Sequence, residues 1–496
     1  MIRPDANRKT ILFCLFLLLL VAAFYPHPAQ GAVESQQLQT TGHETIGREL
    51  PIWSILPFVG LLLSIALGPL AMPHFWHRHY GKISACWAVL FAVPFLFAFP
   101  GTAVREIVHV FLVDYIPFII LLWSLFTISG GIVIGGDLKG TPFFNTIMLL
   151  IGTILASWVG TTGAAMIMIR PVLKANRDRL RKAHLICFFI FLVANIGGAL
   201  TPLGDPPLFL GFLHNVPFFW VTVNLYSHMF FSAGILLVLF YFVDRFHFRK
   251  EEVKGQEKAH TGVRIKIEGL INFTFLAGVI VAILISGYWQ HGHIDLLGTR
   301  IQYQNLFRDI VILIMGFLSL YFTPAQYREA NDFGWAPMKE VAKIFAGIFV
   351  TIIPALAILR AGNEGALSWI ISSIRGPFHY FWVSGFLSSF LDNAPTYLTF
   401  FNTALAKLRM TEAMIPAALD VTGAACNVEF IGYLKAISAG SVFMGANTYI
   451  GNAPNFMIKS IAEEAGIIMP SFFGYIFKYS LPILIPVFIL VSWIFF

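Results

Sequence analysis

The stretch TIMLLIGTILASWVGTTGAAMIMI, Thr146 to Ile169, decides how this chain is threaded. It is long and apolar enough to cross a bilayer. Yet Gly160-Thr161-Thr162-Gly163 interrupts it near the middle, and the connector that follows, Arg170 to Lys182, holds Arg170, Lys174, Arg177, Arg179, Arg181 and Lys182. Dense Lys and Arg between apolar runs mark the cytoplasmic side. Arg245 to Lys266 is a second such connector, and Arg78, Lys82 and Lys139 belong to the same side. Two spans joined by His214 to Ser227, which has no Lys or Arg, separate the basic connectors, so both fall on one face. A full crossing by Thr146 to Ile169 would put Arg170 to Lys182 on the wrong side. The stretch therefore reads as a re-entrant hairpin with both feet in the cytoplasm. By the same count Phe378 to Leu405, interrupted at Leu391-Asp392-Asn393-Ala394-Pro395, enters and leaves from outside. Bare backbone at membrane depth survives only against protein or a water-filled cavity, so each tip marks a candidate site.

The rest of the chain fits this threading. Of its 496 residues 57% are hydrophobic and 12% charged, with mean hydropathy +0.75, far from the roughly 25% charged share of soluble domains. The lipid bilayer is its solvent, and aperiodic apolar runs cross it as helices, not as a barrel. Spans are expected near Ile52 to Met72, Ile83 to Phe99, Val108 to Ser129, His184 to Leu213, His228 to Val243, Leu270 to Tyr288, Leu306 to Phe322, Val341 to Leu359, Ile431 to Ile458 and Phe472 to Phe496. The net charge of +7 sits in short connectors, which excludes a nucleic-acid surface. Residues 1–31 combine Arg3, Arg8 and Lys9, the run Ile11 to Phe24 and the small-residue stretch Ala29-Gln30-Gly31-Ala32; they read as a signal peptide or a retained N-terminal helix. The four cysteines have no C-x-x-C spacing and the histidines no metal-ligand spacing.

Each hairpin is followed by a span broken in a related way. The first reads Gly198-Ala199-Leu200-Thr201-Pro202-Leu203-Gly204-Asp205-Pro206-Pro207 and the second Gly445-Ala446-Asn447-Thr448-Tyr449-Ile450-Gly451-Asn452-Ala453-Pro454, both fitting G-A-x-T-x-x-G-x-x-P. Helix, hairpin, broken helix, helix, repeated with inverted topology, is a common plan of secondary transporters. Gly and Pro break the helical ladder, freeing carbonyls for a cation and N–H groups for an anion. Thr201, Thr448, Asn447, Asn452 and Asn455 add oxygens suited to a hard cation such as sodium.

Two acids stand alone in apolar surroundings. Asp205 is the only Asp, Glu, Lys or Arg between Ala183 and Val243, and Asp392 the only one between Gly376 and Ala406. A charged acid at membrane depth costs about 3 kcal/mol and marks a functional site by default. The competing role is a helix cap, with Asp205 before Pro206 and Asp392 before a half-helix near Pro395. Asp114, Asp309, Glu429 and Lys435 read as interfacial or scaffold residues, and Asp137 with Lys139 as a solvated turn.

With these residues in view, the chain resembles the ion transporter superfamily, which includes NhaD-type sodium/proton antiporters, citrate and dicarboxylate carriers and arsenite permeases. Asn195-Ile196-Gly197-Gly198-Ala199-Leu200-Thr201-Pro202-Leu203-Gly204-Asp205 is similar to the Gly-Gly…Pro-x-Gly-Asp pattern of the antiporter branch. Pro206-Pro207 and Gly445 to Asn455 resemble the branch named for citrate transport. The resemblance covers the chain after about Pro51 and implies a scaffold and a transport domain in each protomer, a homodimer and an elevator-like displacement. The carboxylate carriers hold Ser-Asn-Thr at their tips, where this chain has Gly160-Thr161-Thr162 and Asp392-Asn393-Ala394.

The expected fold is an all-α polytopic membrane protein, an inverted-repeat transporter with two re-entrant hairpins and two broken helices. Its parts would be scaffold spans in 32–105, a first inverted repeat in 106–243, a cytoplasmic basic linker in 244–269, scaffold spans in 270–340 and a second repeat in 341–496. The expected activity is sodium/proton antiport by alternating access in a cell inner membrane, with sodium- or proton-coupled citrate or dicarboxylate transport as the alternative. An intramembrane enzyme is disfavoured, since there is no H-E-x-x-H motif and no nucleophile with a matching base. No cofactor is expected; sodium ions and protons are the coupling or transported species. Thr161, Thr162, Thr201, Gly204, Asp205, Asp392, Asn393, Asn447, Thr448, Asn452 and Asn455 are the candidate site residues, with Asp205, Asp392 and Asn452 as sodium ligands.

Overall fold

A computed structural model describes residues 46–137, 139–252, 264–289 and 292–496; the reading of residues 1–31 lies outside the described residues. Among the described residues ten helical segments are long and apolar enough to cross a membrane, and the chain is an all-α polytopic membrane protein. The first three helices are α1 (Leu56–Ala71), α2 (Pro73–Ala98) and α3 (Pro100–Ser129). A π-helical turn, Val110–Tyr115, precedes Pro117 in α3, whose missing N–H cannot serve the regular ladder.

After strand β1 (Val133–Asp137) come α4 (Pro142–Val159) and α5 (Thr161–Ala175). Thr141 caps α4 by accepting from the Phe144 N–H at 3.3 Å, with Pro142 at the first helical position. Gly160 separates the pair at φ +80° and ψ 150°, a backbone shape that side chains rarely tolerate. At the far ends Gly140 N–H donates to Ala175 O at 2.7 Å and the Asn145 and Asn176 amides pair at 2.9 and 2.8 Å. The two feet therefore stand side by side, as a hairpin requires.

The first broken helix is α6 (Ala183–Leu192), a 3-10 turn at Ile196–Leu200, an irregular stretch and α7 (Pro206–Leu213). Then follow α8 (Trp220–Glu252), β2 (Arg264–Glu268), α9 (Ile271–Tyr288), β3 (His293–Leu296), β4 (Thr299–Gln302), α10 (Tyr303–Phe322), α11 (Ala336–Thr351) and α12 (Ile353–Arg360). The second hairpin is α13 (Gly376–Phe390) and α14 (Asn393–Lys407), whose feet meet where Lys407 Nζ donates to Ile374 O. The second broken helix is α15 (Val428–Met444), a 3-10 turn at Gly445–Asn447 and α16 (Ala453–Glu464); α17 (Phe472–Phe495) closes the described chain, with a π segment around Pro482.

Burial separates centre from periphery. In an apolar 18-residue stretch of each span, 89% of the residues are buried in Ala183–Leu200 against 17% in Pro73–Ala98. Helices α3, α10 and α11 brace one side through Ser124 Oγ to Ile312 O and Tyr115 OH to Ala342 O, both 3.0 Å.

Several expectations need correction. Residues 244–269 are not a linker throughout: α8 runs on to Glu252, and Arg264–Glu268 pairs antiparallel with β1, Val133 opposite Glu268 and Asp137 opposite Arg264. Asp137 thus ends a strand rather than marking a bare turn. The boundaries at 105/106, 243/244 and 340/341 fall inside α3, α8 and α11, because these helices continue past their apolar stretch with charged side chains that do not need lipid. The hairpins span 142–175 and 376–407, longer than the expected 146–169 and 378–405.

Candidate functional site

Both breaks are closed by the same chemistry. In the first, Thr201 Oγ1 donates to Ser157 O of the first hairpin and accepts from Leu203 N–H at 3.2 Å, while Ser157 Oγ donates to Gly197 O at 2.5 Å. In the second, Thr448 Oγ1 donates to Ser389 O at 2.5 Å and accepts from Ile450 N–H at 3.2 Å, while Ser389 Oγ lies 3.1 Å from Met444 O and 2.8 Å from Gly385 O in its own helix, which share its one proton. A Cβ on Gly204 would lie 2.1 Å from Gly198 O, and one on Gly451 2.5 Å from Gly445 O, so both loops need glycine there. The shared G-A-x-T-x-x-G spelling is thus a folding instruction: threonine ties the break to the hairpin and glycine lets it close. Ser157 and Ser389, each three residues before its tip, complete the arrangement.

The same register places Asp205 opposite Asn452, and Thr161 opposite Asn393, at the starts of α7, α16, α5 and α14. These four side chains meet. Asp205, 1% exposed, accepts from Thr161 Oγ1 at 3.1 Å and Asn452 Nδ2 at 3.1 Å on Oδ1, and from Asn393 Nδ2 on Oδ2. It stands at the N-cap position of α7 but makes no side-chain cap bond. Asp392 does cap: its Oδ1 accepts from Ala394 N–H at 3.1 Å, and it is half-buried.

A chain of amides extends the centre. Asn452 Nδ2 also reaches Ala194 O at 3.0 Å and Asn195 Oδ1 at 3.3 Å; Asn195 Nδ2 donates to Asn455 Oδ1 at 2.8 Å; Asn455 Nδ2 donates to Gly445 O at 2.8 Å and Thr448 O at 2.9 Å. Asn195 ties the two broken helices together. It opens the stretch Asn195 to Asp205 read above as a break motif, but was not among the candidate site residues. Asn447 Nδ2 donates to Ser389 Oγ at 2.9 Å, and its Oδ1 is buried without a partner, as is Asn393 Oδ1. Such unpaired oxygens are what a desolvated cation needs.

Beside Asp205 lies a cavity of about 60 Å³. One wall is Gly160, Thr161, Thr162, Gly163 and Pro202 to Pro206; the other is apolar, from α3 and the start of α11, including Phe118, Leu125 and Met338. No Arg, Lys or His lines it. The candidate residues therefore divide. Thr161, Asp205, Asn393 and Asn452 share one hydrogen-bonded centre; Thr162 and Gly204 line the cavity; Thr201 and Thr448 have hydroxyls already committed to backbone; Asn455 and Asn447 flank the second break; Asp392 caps the second tip.

Two charged clusters escape a reading by connectors. Arg179, expected as a topology signal, is buried against Asp244 at 2.6 Å, and Asp244 also bonds His184 at 2.8 Å and Asn145 at 2.9 Å, holding the first hairpin's feet to α8. In the connectors after α7 and α14, His214 faces Glu412 at 3.0 Å and Asp114 at 3.5 Å, while Arg360 binds Glu412 at 2.7 Å and Asn402 at 2.7 Å. Burial pulls His214 down, but the Glu412 and Asp114 carboxylates outweigh it and raise the imidazole above its ordinary value. For Glu412 burial pushes up, and His214 and Arg360 more than reverse it, holding the carboxyl well below the usual range.

No curated protein matches this chain. A family profile described as "Putative citrate transport" matches residues 47–496, taking in both hairpins, both broken helices and every residue of the centre around Asp205. With a match of that extent over a multi-pass helical fold, the chain belongs to this family and is a membrane transporter.

Proposed function

We propose that this transporter is a sodium/proton antiporter working by alternating access, with Asp205 as the carboxylate that exchanges a proton for sodium. The observation that supports the reading is Asp205 itself. It is buried, all three of its side-chain hydrogen-bond donors are neutral, and the adjoining cavity has no basic residue. A buried carboxylate with no fixed cation needs either a proton or a mobile cation. Asn393 Oδ1, unpaired beside it, offers a second oxygen, and helix carbonyls freed at the breaks offer more.

The matching bonds of the two breaks support a repeat, which we place in inverted orientation in a cell inner membrane, with α1 to α3 and α9 to α11 as a scaffold and the protomers paired as a homodimer. Four half-helix N-termini surround the centre, and their partial positive charge favours the second reading, a coupled citrate or dicarboxylate carrier. In this chain, however, Asp205 already occupies that field. An anionic substrate would compete with a fixed carboxylate in a cavity without Arg or Lys.

Everted vesicles containing the protein and a pH-sensitive dye, challenged in turn with sodium, lithium, potassium and citrate, test the reading. Sodium or lithium is expected to release protons into the dye's compartment, and citrate to have no effect. Sodium-dependent citrate uptake without sodium-driven proton movement overturns antiport in favour of carboxylate transport.

A further inference from the structure

We propose that an open groove between helices α3, α10 and α11 holds one anionic glycerophospholipid, with an acyl chain in the groove and the phosphate on Lys339. The groove has a volume of about 270 Å³, against about 60 Å³ for the cavity beside Asp205. Ile120, Trp123, Leu313, Trp335, Met338 and Lys339 line it, and among the described residues Lys339 is the one charged group in that lining. It opens beside Ile314 and Phe317, which are exposed on α10. Met338 lines the cavity beside Asp205 as well, so a chain lying in the groove packs against the outer side of that cavity's wall.

The groove has the depth of one leaflet. Trp335 and Lys339 stand at the start of α11, while Leu313 lies nine residues before Phe322, the end of α10. Nine residues rise about 14 Å, close to half of the roughly 30 Å hydrocarbon thickness. The Trp335 end is also the end at which α3 runs on into β1, whose partner β2 follows the basic connector. Trp and Lys are the residues that settle at headgroup level, and basic pockets between helices on the cytoplasmic side bind anionic headgroups.

Its walls are held in place by the protein alone. Arg328 Nη1 donates to Thr127 O of α3 at 2.7 Å and Nη2 to Ser319 O of α10 at 3.0 Å. The same guanidinium lies 5.0 Å over Phe333, whose ring is 5.0 Å from that of Trp335. The Trp335 and Trp123 rings are parallel within 10° at 6.4 Å.

Charge selects the occupant. Lys339 is exposed, and the acids near it in sequence are turned elsewhere: Asp332 holds Arg170 at 2.9 Å, Glu340 faces Trp76 and His77 of α2, and Glu329 is exposed on the connector. Lys343, one turn further along α11, lies 5.6 Å over the Tyr80 ring of α2 and adds a second positive charge to the region. An amphiphile with a hydrocarbon tail and a net negative head complements an apolar groove with a cation at its mouth; a zwitterionic head brings its own ammonium and complements it less well. A second copy of the chain fits poorly, because helices α1, α2, α9 and α17 contain no Asp or Glu to meet Lys339.

Tryptophan quenching in the full chain tests the proposal. The protein is reconstituted in phosphatidylcholine vesicles that contain a minor share of chain-brominated phosphatidylglycerol or, in parallel, of chain-brominated phosphatidylcholine. Bromine beside Trp123 and Trp335 quenches their fluorescence, and an anionic headgroup on one lysine should give phosphatidylglycerol about a five-fold preference. The excess quenching should be lost in Lys339→Ala, kept in Lys339→Arg, and lost in Ala342→Phe, which fills the groove and leaves the charge. It should also fall in Trp123→Phe, which places it in the groove rather than at another basic site. Equal quenching of the parent protein by both lipids overturns the proposal, as does an excess unchanged in both Lys339→Ala and Ala342→Phe. Disulfide crosslinking between copies through a cysteine at Leu313, with no lipid preference, assigns the groove to a second copy and overturns it too.

Discussion

Asp205→Asn removes one charge with almost no change in volume, and the structure allows its cost to be worked out. The carboxylate accepts three hydrogen bonds, from Thr161, Asn452 and Asn393. An asparagine oxygen keeps the two on the Oδ1 side. Its amide then meets the Asn393 amide, donor against donor, but Asn393 Oδ1 is buried without a partner, and a half-turn of that amide restores the third bond. Each bond weakens from about 1.5–3 to about 0.5–1.5 kcal/mol on loss of the charge, a total of roughly 3–4 kcal/mol. Against this, the variant no longer buries a carboxylate that lacks a basic partner, a penalty of several kcal/mol. The two nearly cancel, so the thermal midpoint should move by a few degrees at most. On the antiporter reading exchange should fall to background, because the charge proposed to alternate between proton and sodium is gone. The assay pairs a thermal melt with and without sodium with dye-reported proton movement in proteoliposomes. A variant that keeps its fold but still moves protons in answer to sodium refutes Asp205 as the exchanging group; a variant that unfolds refutes the hydrogen-bond accounting.

Asp392→Asn should be the milder change, since Asn caps a helix about as well as Asp; exchange reduced but measurable is expected, and complete loss equal to that of Asp205→Asn would give Asp392 more than the cap seen at Ala394. Thr201→Ala should lower the thermal midpoint, as for the loss of a cap-like bond of about 1–2 kcal/mol, while Asn452→Ala should weaken apparent sodium affinity; a melt and a sodium titration of both variants separate the two roles. Cysteines placed at the exposed Lys174 and Pro217 should react with an impermeant thiol reagent from opposite faces, and labelling from one face would refute the hairpin topology. The His214 cluster should shape stability against pH. His214 is raised above 6.5, so its contribution is full below that value and is lost as pH rises through the higher folded value. Glu412 is held below 4.5, so its contribution is present above that value and is lost as pH falls through the lower folded value. Melts from pH 4 to 9 should show a plateau whose upper edge disappears in His214→Gln.

The hairpins and breaks were legible in the sequence because both follow from what lipid refuses: interrupted apolar runs, basic connectors on one face, and glycine and proline inside a span. Asp205, Asn393 and Asn452 were legible as members of those interruptions. What each does was less so. Thr201 and Thr448 look like cation ligands when only their type and place are known, but a hydroxyl beside a broken ladder can equally serve the backbone, and here both are used that way. Asn195 stood at the head of the first break motif, but its role in tying the two breaks was hidden because its partner Asn455 lies about 260 residues away. The strand Arg264–Glu268 is an alternating Arg-Ile-Lys-Ile-Glu that a count of charges hides. Arg179 shows the limit of reading a basic connector as a set: six cations share one connector, but one of them turns inward to pair with Asp244.

The two breaks share threonine and glycine, where the backbone must close alike, and differ at one position of consequence, Asp205 against Asn452. Those two side chains hydrogen-bond each other, so the difference lies where the halves meet. Two carboxylates in contact there would repel, and one would have to hold a proton permanently. Two amides would leave nothing for a cation to neutralise. On the proposed reading, one of each provides a single exchangeable charge and a donor that orients it, and at the tips Thr161 and Asn393 both donate to the one acid. Duplicated geometry thus builds the enclosure, and on the proposed antiporter reading a single departure from duplication gives it a charge to exchange.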